Sequence, residues 1–595
     1  MVDYFYKKYD GTMDPYGSWQ LEAYRMGPST NPKADQLKEF NLDANWGAKN
    51  IEIGFLSNRE LEAFPKPAAE EVRRLSKLTG AQPSVHGPVE DPAGFDEMKK
   101  EQKEYARKGV VNKFFTAMKT AHDTGGAGTP VVFHASNYLP GDVYTKDSKT
   151  NEEVKEASGI MDRETGKFMY IAEREKKLDR SGEEIDFTPE MQLEMINRTF
   201  WSDNIRKLAN NRKQIEEINK IASMTGKPLQ EAEKSKWSAA AIKTLISNTD
   251  ANILNIYHDF AKYMPKPEEV KDPDEKYLVE YIYKERDRLV KEHNKIQDEK
   301  RKAFHEMVEA ARENDQTKGA LASMKMTELS LQDIDNWQTL FSEAGRRGLT
   351  PRRYTTVEDY TLPHAAKTFA ETAFKAYKKY GDNAPYVMIE NAPAPGAFSR
   401  PDQHKKLVEK ARDTLVKDYG VSREKANKLI QATLDVGHFG LWRQYGYKNE
   451  DIVEMAKKIA PIAGHLHITD NFGSADAHLP PGWGDLPSGE IIEMLKRGGF
   501  KGRTIVEAGG AEALGYAPYL PTLEYFNSGI YSWTAKPSWT EVGEYFFGSS
   551  GYAAPGIPMP YHHQQMYGTS GFGNLPPAAG VDKKEKSGLS GTPYS

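Results

Sequence analysis

Along this chain, short apolar runs repeatedly end in a side chain able to hold a metal or carry a proton. In order they read Pro83-Ser-Val-His86-Gly-Pro, Val-Val-Phe-His134-Ala-Ser, Val-Met-Ile-Glu390-Asn-Ala, Thr-Leu-Asp435-Val-Gly-His438, His465-Leu-His467-Ile-Thr-Asp470, Asp476-Ala-His478 and Ile-Val-Glu507-Ala-Gly. A Val/Ile/Leu run that stops at a Gly/Pro/Asn-rich break reads as a buried parallel strand. Polar residues at the ends of successive strands are what a barrel with its site at the strand C-termini presents. One strand-end His is ordinary packing. The same pattern at strand after strand, always with His, Asp or Glu, is not explained by packing.

The text between the motifs supports a barrel. Strands are expected at Glu22–Met26, Asn50–Phe55, Pro83–His86 and Thr129–His134, with helices over Pro32–Asn45, Pro67–Leu78 and Phe95–Thr124 between them. The alternation then gives way to a long, highly charged stretch with helical patterns at Pro189–Met224, Lys236–Tyr263 and Asp274–Asn314. Charge this dense reads as solvated helix faces, so an antiparallel helical insertion is expected. Alternation resumes with the helix His364–Tyr380 and the strand Tyr386–Glu390. The helices Arg400–Tyr419 and Ser422–Ile430, the strand Ala432–Val436, the helix Asn449–Ala460, the strand Ala463–Ile468, the helix Ser488–Arg497 and the strand Arg503–Glu507 follow.

The fold class is therefore α/β, a (β/α)8 TIM barrel with a large helical insertion in the fourth βα loop and a disordered C-terminal tail. The expected boundaries are 1–138 for the first half-barrel, 139–362 for the insertion, 363–545 for the second half-barrel and 546–595 for a Gly/Pro/Tyr-rich tail.

Composition narrows the chemistry. The chain has 595 residues, 38% hydrophobic and 28% charged, and a net charge of −5, which argues against non-specific polyanion binding. No apolar stretch approaches the roughly 18 residues of a membrane span. The opening Met1-Val-Asp-Tyr-Phe-Tyr-Lys-Lys lacks the apolar core of a signal peptide, so a cytoplasmic location is expected. Cysteine is absent, which removes disulfides, thiolate zinc sites and a Cys nucleophile together.

Any metal must then sit on nitrogen and oxygen, a donor set that suits divalent zinc, manganese, iron, cobalt or magnesium. Glu390, Asp435, His467 and Glu507 come from the last four strands and can converge on one ion. His86, His134, His438, Asp476 and His478 would ring it and hold one or two more, for one to three ions per chain. Several ions close together would clamp a phosphoryl group and generate hydroxide. A single ion would polarise a carbonyl while two glutamates exchange protons. His122, His258, His293, His305, His364 and His404 lie in helical text and read as surface residues.

Together these motifs resemble the xylose isomerase-like TIM barrel superfamily, which includes sugar isomerases and epimerases and the endonuclease IV class of apurinic-site nucleases. The resemblance covers roughly residues 20–135 and 363–530. It implies that His86, His134, Glu390, Asp435, His438, His467, Asp476, His478 and Glu507 match the positions holding three zinc ions in the nuclease class. Two departures weigh against a nuclease. Ala477 stands where that class has Arg, with a shorter spacing from His467 to Asp476. Val89-Glu-Asp-Pro-Ala-Gly94 replaces its Asn-rich DNA-contacting loop. The resemblance thus favours a metal-dependent isomerase or epimerase of a sugar or sugar phosphate. Glu390 and Glu507 would then be acid and base, and His438 would orient a hydroxyl. A trinuclear zinc phosphodiesterase acting on abasic DNA is the second reading. The third is a barrel turned assembly or scaffold protein, forming a homo-oligomer or binding a protein partner through its insertion. No membrane partner is expected.

Overall fold

Eight short strands, rich in β-branched residues and mostly buried on both faces, form one parallel sheet. They are β1 (Met26–Pro28), β2 (Asn50–Gly54), β3 (Gln82–His86), β4 (Pro130–His134), β5 (Tyr386–Glu390), β6 (Ile430–Asp435), β7 (Ala463–Ile468) and β8 (Arg503–Val506). Their order is β2-β3-β4-β5-β6-β7-β8-β1. A bridge between Ser29 and Glu52, with the Thr30 amide donating to the Glu52 carbonyl at 2.8 Å, brings the two edges together. The computed structural model describes residues 26–225, 239–509 and 522–526, apart from positions 46, 138, 148, 180, 271 and 524. The expected tail, 546–595, lies outside the described residues.

Ile51, Ile53, Val85, Val131, Phe133, Val387, Ile389, Leu434, Ile468 and Ile505 are fully buried along these strands. Barrel helices start and stop on local signals. Lys66–Thr79 carries a Pro in its first turn and ends at Gly80 in the left-handed region (φ 75°), and Pro401–Tyr419 does the same at Gly420 (φ 69°).

The first strand is described from Met26 to Pro28, and residues 22–25 of the strand expected there lie outside the described residues. Two local differences from the sequence reading have physical causes. The helix expected from Phe95 starts at Glu104. Residues before it form a small antiparallel pair, Phe95–Asp96 with Glu101–Gln102. Asp96 Oδ1 accepts the amides of Met98 and Lys99, and Lys100 takes φ 51°, so the chain turns there instead of coiling. Finally, two histidines assigned to surfaces are buried. His404 Nε2 donates to the Ile389 carbonyl at 2.8 Å, and His293 contacts Asp333 at 2.8 Å.

Between β4 and β5 the chain builds a second compact unit, Ile160–Thr356. Most of it is helical: Pro189–Thr225, Ala239–Tyr263, Pro273–Glu313 and Gln316–Arg346. The last helix follows a tight turn at Asn314 (φ 56°) and is capped by Asp315. Its core packs Trp201, Leu208, Ile253, Phe260, Ile282, Trp337 and Phe341. The segment after β4 also holds strands that the sequence reading did not expect: Val143–Lys146, Glu153–Asp162, Lys167–Glu173, Glu175–Leu178 and Glu184–Phe187. Glu175–Leu178 and Glu184–Phe187 form an antiparallel hairpin whose turn contains Gly182 at φ 86°. Among the described residues, no helix is long and apolar enough to cross a membrane.

Candidate metal centre

Strand register delivers the site. Glu390 ends β5 opposite His134, and Asp435 ends β6 opposite His467 of β7. Glu507 follows β8, its amide 3.4 Å from the Ile468 carbonyl. One ligand atom from each of Glu390, Asp435, His467 and Glu507 lies within 4.8 Å of the others. His467 Nδ1 is at the centre, 2.9 Å from Glu390 Oε1, 3.1 Å from Glu507 Oε2 and 3.9 Å from Asp435 Oδ2.

The remaining expected ligands join the same cluster in two further groups. His86 Nε2 and His134 Nε2 each lie 3.4 Å from Glu390 Oε2, so Glu390 faces His467 with one oxygen and this pair with the other. His438 Nε2 and His478 Nε2 lie 3.2 and 3.0 Å from Asp476 Oδ2. His134 and His438 connect the groups, with ring centroids 5.9 Å apart.

The carboxylates here have only histidines as ion-pair partners among the described residues. Burial alone would raise the Glu507 carboxyl, but the adjacent His467 brings it down to about 2. Burial and then His467 act likewise on Glu390, which ends well below the usual carboxylate range. Asp435 goes the other way, raised by burial. Burial depresses the imidazoles, yet Glu52 and Glu390 hold His467 well above its ordinary value. Glu390 lifts His86 to about 9, and Asp476 lifts His478 to about 10, both against burial. For His134 burial wins and the ring falls to about 4. Opposed shifts gathered in one cluster make it a candidate functional site.

Hydrogen bonding fits the residues to a cation. Glu390 Oε2, Asp435 Oδ2 and His86 Nε2 are buried without a hydrogen-bond partner. A buried carboxylate oxygen or imidazole nitrogen left so is costly unless a ligand completes it. His86 Nδ1 lies 2.9 Å from the Gly87 carbonyl and His438 Nδ1 2.7 Å from the Asn391 carbonyl. Donation of those Nδ1 protons to the main chain directs each Nε2 at the cluster, the arrangement a metal ligand needs once that nitrogen gives up its proton.

Local structure holds the ligands in place. Asp435 caps the short helix Val436–Gly440, with Oδ1 accepting the His438 amide (2.9 Å) and the Thr469 hydroxyl (3.1 Å). A Cβ on Gly437 would lie 1.9 Å from Thr469 Oγ1, which explains the glycine between Asp435 and His438. Asn391 brackets the Asp435 main chain, accepting its amide at 2.8 Å and donating to its carbonyl at 3.1 Å. Asp470 accepts amides from Asn471, Gly482 and Leu486, closing the loop that carries Asp476 and His478.

Sequence reasoning missed Glu52, Ser84 and His465. Glu52 Oε2 accepts from Ser84 Oγ at 3.0 Å and lies 3.0 Å from His465 Nε2, while Oε1 is 2.9 Å from His467 Nε2. The available signal was Glu52 in the middle of the apolar run Ile51-Glu-Ile53, and the period-two pair His465-Leu-His467.

An eight-stranded parallel barrel with nitrogen- and oxygen-bearing side chains gathered at its strand ends defines a TIM barrel with a candidate metal site. Residues 328–524 match the family described as xylose isomerase-like TIM barrel, and this chain carries that fold. Over 82 residues it is 35% identical to an uncharacterized protein of Mycobacterium bovis and to one of Mycobacterium tuberculosis. That match covers 14% of this chain and 27% of theirs. Similar solved structures include a D-tagatose 3-epimerase-like protein (13% identity, TM-score 0.32, 85% of this chain and 99% of that one). Two others are the Escherichia coli 3-keto-D-glucoside 4-epimerase (10%, 0.34, 84% and 98%) and the D-psicose 3-epimerase of Clostridium cellulolyticum (9%, 0.35, 84% and 94%).

Proposed function

We propose that the barrel is a metal-dependent isomerase or epimerase acting on a sugar or sugar phosphate. The observation that carries this reading is the meeting of Glu390 and Glu507 on His467 Nδ1 beside Asp435. Glu390, Asp435, His467 and Glu507 would hold a divalent ion, which supplies polarisation of a carbonyl and the neighbouring hydroxyl. Glu507 is the carboxylate open to substrate, with 21% of its side chain exposed against none for Glu390. It removes the proton from the carbon beside the carbonyl, and Glu390 is the second carboxylate of the exchange, which must first take up a proton to act as the acid from the opposite side. His438, its Nδ1 fixed by the Asn391 carbonyl, orients a substrate hydroxyl.

A second reading, phosphodiester hydrolysis at a multinuclear centre acting on abasic DNA, is favoured by one observation. His86 and His134 form a second candidate group that shares Glu390, and His438, Asp476 and His478 form a third.

One experiment on the full chain separates them. The protein is purified without chelator, its metal is counted, and it is incubated in D2O with a panel of ketoses and, in parallel, with an abasic duplex. The proposed function predicts one catalytic ion and deuterium at the carbon beside the carbonyl, abolished by chelator. Two or three zinc ions with strand cleavage and no exchange would establish the second reading. Neither metal nor turnover would leave an assembly role for the barrel.

A further inference from the structure

Among the cluster histidines, His467 stands apart. His86 and His438 place Nδ1 against main-chain carbonyls, and His478 Nδ1 is 3.3 Å from the Glu507 carbonyl, so in each Nε2 faces the ligands. His467 is reversed. Its Nδ1 faces Glu390, Asp435 and Glu507, and its Nε2 meets Glu52 at 2.9 Å. That contact is an ion pair by distance and falls outside hydrogen-bond geometry, and neither Glu52 Oε1 nor His467 Nε2 has a hydrogen-bond partner elsewhere.

We infer that Glu52 is a positioning residue of this centre, fixing His467 with Nδ1 toward the ion. The inference rests on the metal-dependent reading above. Glu52 sits mid-strand in β2 with no exposed surface, opposite Ser84 of β3. A carboxylate so deep in the barrel needs donors on both oxygens. Ser84 and His465 occupy one oxygen, which aims the other at His467. An imidazole is held in one tautomer by what its second nitrogen bonds, and a carboxylate there also makes the ligating nitrogen more basic. Carbonyls do this for His86 and His438. For His467 a side chain from the other end of the sequence does it.

The test compares the full wild-type chain with Glu52→Gln, both loaded with Co2+ and followed by d–d absorption during titration. Circular dichroism checks the fold. Loss of the carboxylate should weaken Co2+ binding about 10- to 100-fold and shift the absorption band. Wild-type affinity and spectrum in the variant would overturn the inference while leaving the metal reading standing. A wild type that binds no Co2+ would overturn the metal reading itself. Should Glu52→Gln fail to fold, the metal-loaded wild-type crystal structure decides. Metal on His467 Nδ1 with Nε2 still beside Glu52 supports the inference, and metal on Nε2 refutes it.

Discussion

Glu507→Gln is expected to leave the barrel folded and to lower turnover by about 10²- to 10⁴-fold, the usual contribution of a positioned acid or base. Glutamine has the same shape, and the Glu507 side chain is only partly buried, so packing changes little. What disappears is the negative charge 3.1 Å from His467 Nδ1 and the only partly exposed proton acceptor of the four converging ligands. Burial opposes ionisation of this carboxyl, yet the neighbouring His467 keeps it ionised at neutral pH, so the wild type has a base ready. Steady-state kinetics with added metal, beside circular dichroism and metal counting, reads the effect. A folded, metal-loaded Glu507→Gln protein that turns over at the wild-type rate would remove Glu507 from the chemistry.

The largest stability effect is expected in the inserted unit. Trp337 is 2% exposed and packs its ring against Phe341 (5.4 Å between centroids), Tyr257 (5.5 Å) and His293 (6.3 Å). Truncating a buried aromatic of this size costs about 3–5 kcal/mol. Trp337 Nε1 lacks a hydrogen-bond partner, so its removal also relieves a buried unsatisfied donor and places the cost of Trp337→Ala near the lower end. Trp337→Phe keeps most of the ring contacts and should cost less. Hydrogen exchange resolved by mass spectrometry over Pro273–Glu313 and Gln316–Arg346 measures both variants. Unchanged protection in Trp337→Ala would show that these helices do not depend on the cluster.

The barrel and the clustering of its candidate metal-binding side chains were legible because parallel strands leave a strong local mark. Each apolar run is short, ends at a break and carries its candidate site residue at that end, as at Val-Val-Phe-His134 and Met-Ile-Glu390. Glu52 left no such mark, being mid-strand and paired with His465, 413 residues away. Neither did the hairpin strands Glu175–Leu178 and Glu184–Phe187, whose exposed, charged residues follow neither a buried strand nor an apolar helix face. Their formation rests on backbone pairing and the Gly182 turn. His404 was misplaced for a similar reason. Its neighbours in Asp402-Gln-His-Lys-Lys406 look like a solvated helix, but the helical turn aims that one ring at the Ile389 carbonyl.

The central claim is that Glu390, Asp435, His467 and Glu507 share one ion. Anomalous diffraction at the zinc edge, from crystals of the wild-type chain soaked in Zn2+, tests it directly. The account predicts a peak about 2.0–2.2 Å from all four side chains, with Nδ1 as the His467 donor. No peak there, or zinc held only by His438, Asp476 and His478, would contradict it.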